Sequence, residues 1–213
     1  MNASAALALQ LGGLVEYEEA LGIQRRIHSE VSSGVRPNTL ILLEHPAVYT
    51  AGKRTLEEER PHNGAPVIDV DRGGKITWHG PGQLVGYPIV RLQNPHELVG
   101  FVREIEAGLI NVCQDFGITG QRIAGRSGVW VCDEAGERKI AAIGIRVASG
   151  TSMHGFALNV APDLSAFSAI IPCGIADAQV TSMERELGRA ITIEDVQPSV
   201  ERHLFDALAK VSA

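Results

Sequence analysis

The residues able to do chemistry gather in four glycine-punctuated segments of the 213-residue chain. The first, residues 72–84, reads Arg-Gly-Gly-Lys-Ile-Thr-Trp-His-Gly-Pro-Gly-Gln-Leu and sets glycines, a histidine and cationic side chains around one short strand. Glycine at that density lets backbone N–H groups come close to a ligand. A tight hairpin with a hydrogen-bonded His79 is the other reading of the same spacing. The second segment, residues 139–146, alternates small and branched side chains and puts Lys139 at a strand start. The third, residues 154–160, is a strand whose small residues could line a slot beside an apolar chain, although an ordinary sheet strand looks much the same. The fourth, residues 170–175, holds Cys173 between Pro172, which fixes the approach, and Gly174, which leaves the sulfur accessible. Cys173 is then either a thiolate nucleophile or, as a lone cysteine, a small buried hydrophobe. Cys113, on the apolar face of a helix, and Cys132, near a strand end, take the structural reading.

Composition narrows the class of protein. Cys113, Cys132 and Cys173 are an odd number without CxxC spacing, which argues against a disulfide framework or a cysteine zinc knuckle and points to a reduced, cytoplasmic protein. His28, His45, His62, His79 and His96 recur every seventeen residues, but their flanks share nothing, so the period reads as chance. Neither HxxxH nor HxxE occurs, and no helical zinc site is expected. Lys plus Arg total 19 against 25 Asp plus Glu, a net charge of −6, the opposite of a chain that lives on phosphate backbones; no nucleic-acid partner is expected. The start has no Lys or Arg before a short Ala/Leu run and then turns acidic, unlike a signal peptide. No stretch approaches the ~18 apolar residues of a spanning helix, so no membrane association is expected.

Several elements must position these segments. Leu7, Leu9 and Leu11 alternate as in a strand, after which Tyr17, Leu21, Gln24, Ile27 and Val31 share one helical face that ends near Gly34, with Arg25 and Arg26 outward. Residues 39–43 form a short buried strand stopped by His45-Pro46, and residues 50–65 read as a polar loop. Asn94 and Pro95 suit an N-cap and first turn, from which Leu98, Phe101, Ile105, Leu109, Val112 and Phe116 line one face as far as Gly117. Residues 128–132 and 139–147 pair as a hairpin across the turn at 133–137. Val200, Leu204, Leu208 and Val211 are at helical spacing, with Pro198 suited to the helix start. No Gly/Ser-rich linker divides the chain, which favours one compact α+β domain over residues 1–213.

In this order the four segments resemble the lipoate-pathway octanoyltransferase family, octanoyl-[acyl carrier protein]:protein N-octanoyltransferase. The similarity runs from Leu42-Leu43-Glu44-His45-Pro46 through Cys173, and the RGGxxTxHGPGQLVxYP pattern at residues 72–88 carries most of its specificity. The resemblance implies the α+β fold of biotin and lipoate protein ligases, a mixed sheet flanked by helices. It implies transfer of an octanoyl group from octanoyl-acyl carrier protein, through a thioester on Cys173, to a lysine of lipoyl domains, the first step of endogenous protein lipoylation. The implied acceptors are the 2-oxoacid dehydrogenase E2 subunits and the glycine cleavage H protein. Lys139 would lower the thiol pKa. Substrate would be bound by Arg72, Gly73, Gly74, Lys75, Ile76, Thr77, Trp78 and His79, by Ala142, Ile143 and Gly144, and by Gly155, Phe156 and Ala157. No cofactor and no metal are implied.

The implied chemistry is self-consistent. An enzyme thiolate can hold an acyl group between visits of two protein substrates, which gives a ping-pong route. A nearby ammonium favours thiolate over thiol, and the neutral form of Lys139 could later take a proton from the incoming lysine. His79 is the competing acid or base, unless it only holds the glycine-rich loop. Chain-length selection would be steric, because each methylene is worth only ~0.8 kcal/mol in burial. Two rival readings remain: an ATP-dependent lipoate or biotin ligase, and a silent binding module or cysteine hydrolase. For an acidic carrier partner, Arg122, Arg126, Arg138, Lys139 and Arg146 against Asp133, Glu134 and Glu137 give a local balance of +2, which suggests docking there.

Overall fold

The computed structural model describes residues 7–61, 64–170 and 179–213. Its first strand, β1 (Leu7–Leu14), runs parallel to β2 (Thr39–Glu44) because α1 (Tyr17–Ser32) carries the chain back between them. Tyr17, Ala20, Gln24, Ile27 and Val31 form the buried stripe of α1, while Arg25 and Arg26 face out. The acidic Glu18 and Glu19 in its first turn suit the positive end of the helix dipole.

The main sheet continues antiparallel from β2 through β6 (Gln83–Ile89), β10 (Thr151–Asn159), β9 (Gly136–Ala148), β8 (Arg126–Asp133) and β7 (Gln121–Ile123). A two-residue strand, β11 (Gln179–Val180), adds parallel to β9 and sets Val180 opposite Lys139. Strand alternation gives the sheet two apolar faces. Val85, Tyr87, Ile41 and Ala157 meet α1 on one side. On the other side, α2 (Leu98–Asp115) and α4 (Ile193–Ala209) pack with Leu84, Phe156, Leu158 and Ile140 in the largest core cluster. A short α3 (Met183–Leu187) precedes α4.

A second, three-stranded sheet has the order β4 (Val67–Asp69), β3 (Val48–Ala51), β5 (Thr77–His79). Tyr49, Ile76 and Trp78 from this region pack on Phe167 and Ile170, and the Tyr49 hydroxyl donates to the Ala166 carbonyl at 2.8 Å. Thr50 and Ala51, expected in a loop, thus belong to a strand, and Glu57–Glu59 forms a single 3-10 turn.

Two helix starts differ from expectation. Asn94 makes a turn instead, its side chain accepting from the His96 N–H at 3.3 Å and its carbonyl from the Glu97 N–H at 3.1 Å. Asn-Pro favours a turn as readily as a cap, and Glu97 caps α2 by accepting from the Gly100 N–H at 3.1 Å. α4 begins at a reciprocal cap between Thr192 and Asp195, and Pro198 lies inside the helix.

Candidate active site

The small sheet and the loop that leads into β5 lie against β9 and β10, where the Gly73 N–H donates to the Ile145 carbonyl at 2.9 Å. Between them is a cavity of about 260 Å³. That is close to the lower end of the ~300–1,000 Å³ usual for small-molecule pockets. One wall is sheet: Val85 of β6, Gly155, Phe156 and Ala157 of β10, and Ala142, Ile143 and Gly144 of β9. The facing wall is Arg72, Gly74, Lys75, Thr77 and His79, with Arg54, Gly125, Arg126 and Ser127 at the exposed rim.

Two glycines make this shape possible. Gly86 pairs with Phe156 across β6 and β10, and a Cβ there would run into the Phe156 ring. On Gly144 a Cβ would stand 3.0 Å from the Arg72 Cδ and 3.2 Å from the Gly73 carbonyl oxygen, so a side chain there would push the Arg72 loop back from β9.

Lys139 reaches this wall from β9. It is buried, its Nζ stands 4.6 Å from the centroid of the Trp130 ring, and its carbonyl accepts from the Thr181 N–H at 3.0 Å. Among the described residues it has no carboxylate partner. Cys173 lies outside the described residues. Cys113 is fully buried, with its thiol pushed up to about 12 by desolvation, which makes it a core residue and not a nucleophile.

His79 is held by a directional hydrogen-bond chain. The Gln83 amide donates to Asn159 Oδ1 at 2.9 Å, so Gln83 Oε1 must accept, at 2.7 Å, from His79 Nδ1. The proton is therefore on Nδ1, and Nε2 accepts from the Thr50 hydroxyl at 3.3 Å. Thr50 Oγ1 in turn accepts from Arg72 Nη2 at 2.9 Å, and Asn159 Nδ2 donates to the Thr181 carbonyl at 2.9 Å. Desolvation, with His45 and Arg72 nearby, lowers the His79 pKa to about 3. A neutral ring with its Nδ1–H donating to Gln83 and its Nε2 occupied by Thr50 holds the loop and has no free nitrogen to relay a proton, which favours the structural of the two sequence readings.

Arg72 also donates to the carbonyls of Thr50 at 2.8 Å and Lys75 at 2.8 Å, tying its loop to β3. Lys75 pairs with the buried Glu59. Gly73, Ile76 and Trp78 do not line the cavity. Gly73 pairs with β9 through its backbone, and Ile76 and Trp78 point into the cluster around Phe167 because neighbours on a strand alternate sides.

Sequence reasoning missed Tyr17, Val85 and Tyr87 on the inner wall, Ser127 at the rim, and His154, and it read Arg126 as a docking residue where the structure puts it at the cavity rim. Tyr17 stacks on His79 at 6.1 Å, and His45 bonds the Tyr87 hydroxyl at 2.7 Å. His154 has φ 58 on a regular strand, a strained position for a side-chain-bearing residue, and its Nε2 meets Asp71 Oδ1 at 2.7 Å.

The cationic patch expected over 122–146 is largely neutralised by carboxylates of this chain. Arg122 and Arg103 converge on the buried Glu106, Arg138 lies between Asp133 at 2.7 Å and Glu186 at 3.0 Å, and Arg146 pairs with Asp71. Only Arg126, paired at 2.8 Å with the exposed Glu137, stands at the cavity rim.

A mixed sheet with helices on both faces is a fold that this chain shares with solved lipoate and biotin protein ligases. The lipoyl protein ligase A/B catalytic domain model matches residues 16–205, and the chain belongs to that family. An octanoyltransferase of Salinispora tropica is 58% identical over 200 residues, 93% of this chain and 94% of the relative. One of Acidothermus cellulolyticus is 57% identical over 203 residues, 95% of this chain and 92% of the relative. A crystal structure of a lipoate-protein ligase A bound with ATP superposes with TM-score 0.75 at 17% identity, over 97% of this chain and 86% of that one. The biotin protein ligase of Aquifex aeolicus gives 0.56 at 13%, over 95% and 70%. The expected fold class is thereby borne out.

Proposed function

We propose that this chain is an acyltransferase that moves an octanoyl group from octanoyl-acyl carrier protein to a lysine of lipoyl domains, with Cys173 as the acyl carrier and Lys139 as its partner. The observation that carries the reading is Lys139: a buried cation with no carboxylate partner among the described residues, on the wall of a short apolar slot, in a chain whose 57–58% identical relatives are octanoyltransferases. Chain connectivity supports the pairing with Cys173. Ile170 packs beside Trp78, Val180 stands opposite Lys139, and Cys173 lies between them in sequence.

The proton balance closes over two half-reactions. The Cys173 thiolate attacks the donor thioester, the donor's C–S bond breaks, and the departing thiolate takes a proton from the Lys139 ammonium. The neutral amine of Lys139 then accepts the proton that the acceptor lysine loses as its nitrogen forms the amide. Cys173 leaves as thiolate, and the starting pair is restored. Ala142, Ile143, Phe156 and Ala157 hold the acyl chain away from water. The lipoyl domains would be those of 2-oxoacid dehydrogenase E2 subunits and the glycine cleavage H protein. The chain would work in the cytoplasm as one domain over 1–213.

Intact mass tests this directly. Incubation with octanoyl-acyl carrier protein should add one octanoyl group to the protein, and a lipoyl domain should remove it. Acylation that requires octanoate and ATP instead would favour a ligase, and loss of the group to water alone would favour a hydrolase.

A further inference from the structure

Lys139 and its neighbour Arg138 are adjacent on β9 but are held by opposite means. Arg138 is fixed by two carboxylates, Asp133 and Glu186. Lys139 is fixed by none among the described residues, and what lies under its ammonium is the face of Trp130. The placement is built into the sheet. Trp130 and Lys139 are direct register partners on β8 and β9, and the ladder slips between Val129–Ala141 and Trp130–Lys139, two steps on β9 against one on β8. That irregularity is a bulge, a device that re-aims a side chain next to a site.

Trp130 is 0% exposed, yet among the described residues its indole N–H has no hydrogen-bond partner. A buried Trp usually finds one; here, among the described residues, the contacts this position makes to polar groups run through the ring face. The ring face is used twice: Arg126 at the cavity rim lies 5.7 Å from the same centroid.

We infer that Trp130 is a positioning residue for the reaction: its π face holds the Lys139 ammonium at the cavity wall without neutralising it. A carboxylate would hold a lysine as firmly. It would also cancel the positive field that favours a thiolate and would occupy an N–H needed for proton transfer. An aromatic face attracts the cation through its quadrupole and accepts no proton. The ammonium is therefore aimed while its N–H groups remain available to the thioester site. The inference rests on the reading of Lys139 as the partner of the thiol.

Fluorinated tryptophan tests this with little change of shape, because each fluorine drains the ring face that a cation feels. Chains carrying mono-, di- and trifluorotryptophan should show a stepwise fall in kcat for octanoyl transfer, about tenfold or more across the series given what a desolvated cation–π contact is worth. KM for the donor and the melting temperature should hold. The same series in a Trp130→Phe chain, where only Trp78 carries fluorine, should be flat, and Trp130→Phe itself should keep more activity than Trp130→Leu. A flat series in the parent chain beside an inactive Lys139→Ala would overturn the role of Trp130 alone. A fully active Lys139→Ala would overturn the functional reading, and this inference with it.

Discussion

The wall that β6, β10 and β9 give to the cavity carries Val85, Ala157, Ala142, Gly144 and Gly155 beside Phe156 and Ile143, whereas the facing wall presents Arg72, Lys75, Thr77 and His79. On the sheet side the hollow exists because side chains are short at register-matched positions: Gly155 stands opposite Gly144, and Ala157 opposite Ala142. On the loop side the surface is polar, and Arg72, Lys75 and His79 are engaged within the protein. Arg72 alone reaches Thr50 and Lys75, and His79 is locked between Thr50 and Gln83. A wall shaped by missing methylenes should respond to substitution by degrees. One held by a satisfied buried network should fail abruptly, because a partner removed leaves others unpaired.

The largest expected effect is at Lys139, where the two walls meet. Lys139→Ala should reduce octanoyl transfer by about 10²–10⁴-fold, the usual worth of a proton-transferring group, and slow alkylation of Cys173 by iodoacetamide near neutral pH. Unchanged transfer and an unchanged alkylation profile would remove it from the site. Next comes the loop wall. Arg72→Lys keeps the charge but loses the fork, and should cost about 3 kcal/mol through hydrogen bonds to a charged group. That corresponds to a melting temperature lower by roughly 6–12 °C in a domain of this size. A variant that melts with the parent would show that the network does not hold the wall.

Most of the sheet wall was legible in the sequence, and much of the rest was not, for a physical reason. Periodicity of 2 and 3.6 reveals α1, α2 and strands β8 to β10 because it is local. The loop wall depends on partners far apart in the chain, Thr50 on His79 and Gln83 on Asn159, as does the cationic patch, Glu106 on Arg122. Arg122 looked available because its carboxylate lies on α2. Tyr17 read as core because it is core, and only the third dimension shows that it also lines the cavity. The seventeen-residue histidine period does bring His45 and His79 within 5.7 Å. It remains coincidence, since His28 bonds the Ala148 carbonyl and His96 is exposed. Lys139 could be singled out only through family resemblance, because nothing local distinguishes it from Arg138.

The comparison sharpens with pH. The folded-state pKa of His79 lies below its ordinary value, at about 3 against 6.5, so the unfolded chain binds the extra proton and the associated stability is present above pH 6.5 and lost as pH falls toward 3. Between pH 7 and pH 5 this amounts to roughly 2 kcal/mol. His45 and His154 are lowered mainly by burial and act with the same sign. Urea midpoints should therefore drop over this interval in the parent chain and drop less in His79→Gln. An equal drop in both would mean that His79 is protonated in the folded protein, returning it to acid–base candidacy.

The smallest effect belongs to the sheet wall and is the most informative about substrate. Ala142 stands opposite Ala157, which itself stands opposite Val85, so this row spans the floor of the slot from β9 to β6. Ala142→Val adds two methyl groups to that row and contacts neither Arg72 nor His79 through any hydrogen bond. If the octanoyl chain runs along it, the added bulk displaces one or two methylenes of substrate at ~0.8 kcal/mol each. The ratio of kcat/KM for octanoyl over hexanoyl thioester should then fall by about 4- to 15-fold. The rate with the shorter donor should change little, since the reacting carbonyl and Lys139 are untouched, and Ala142→Gly should shift preference toward longer chains. A ratio that stays constant in both variants while the protein remains folded would place the acyl chain elsewhere, and the short side chains of β9 and β10 would then serve only to bring the Arg72 loop close to the sheet.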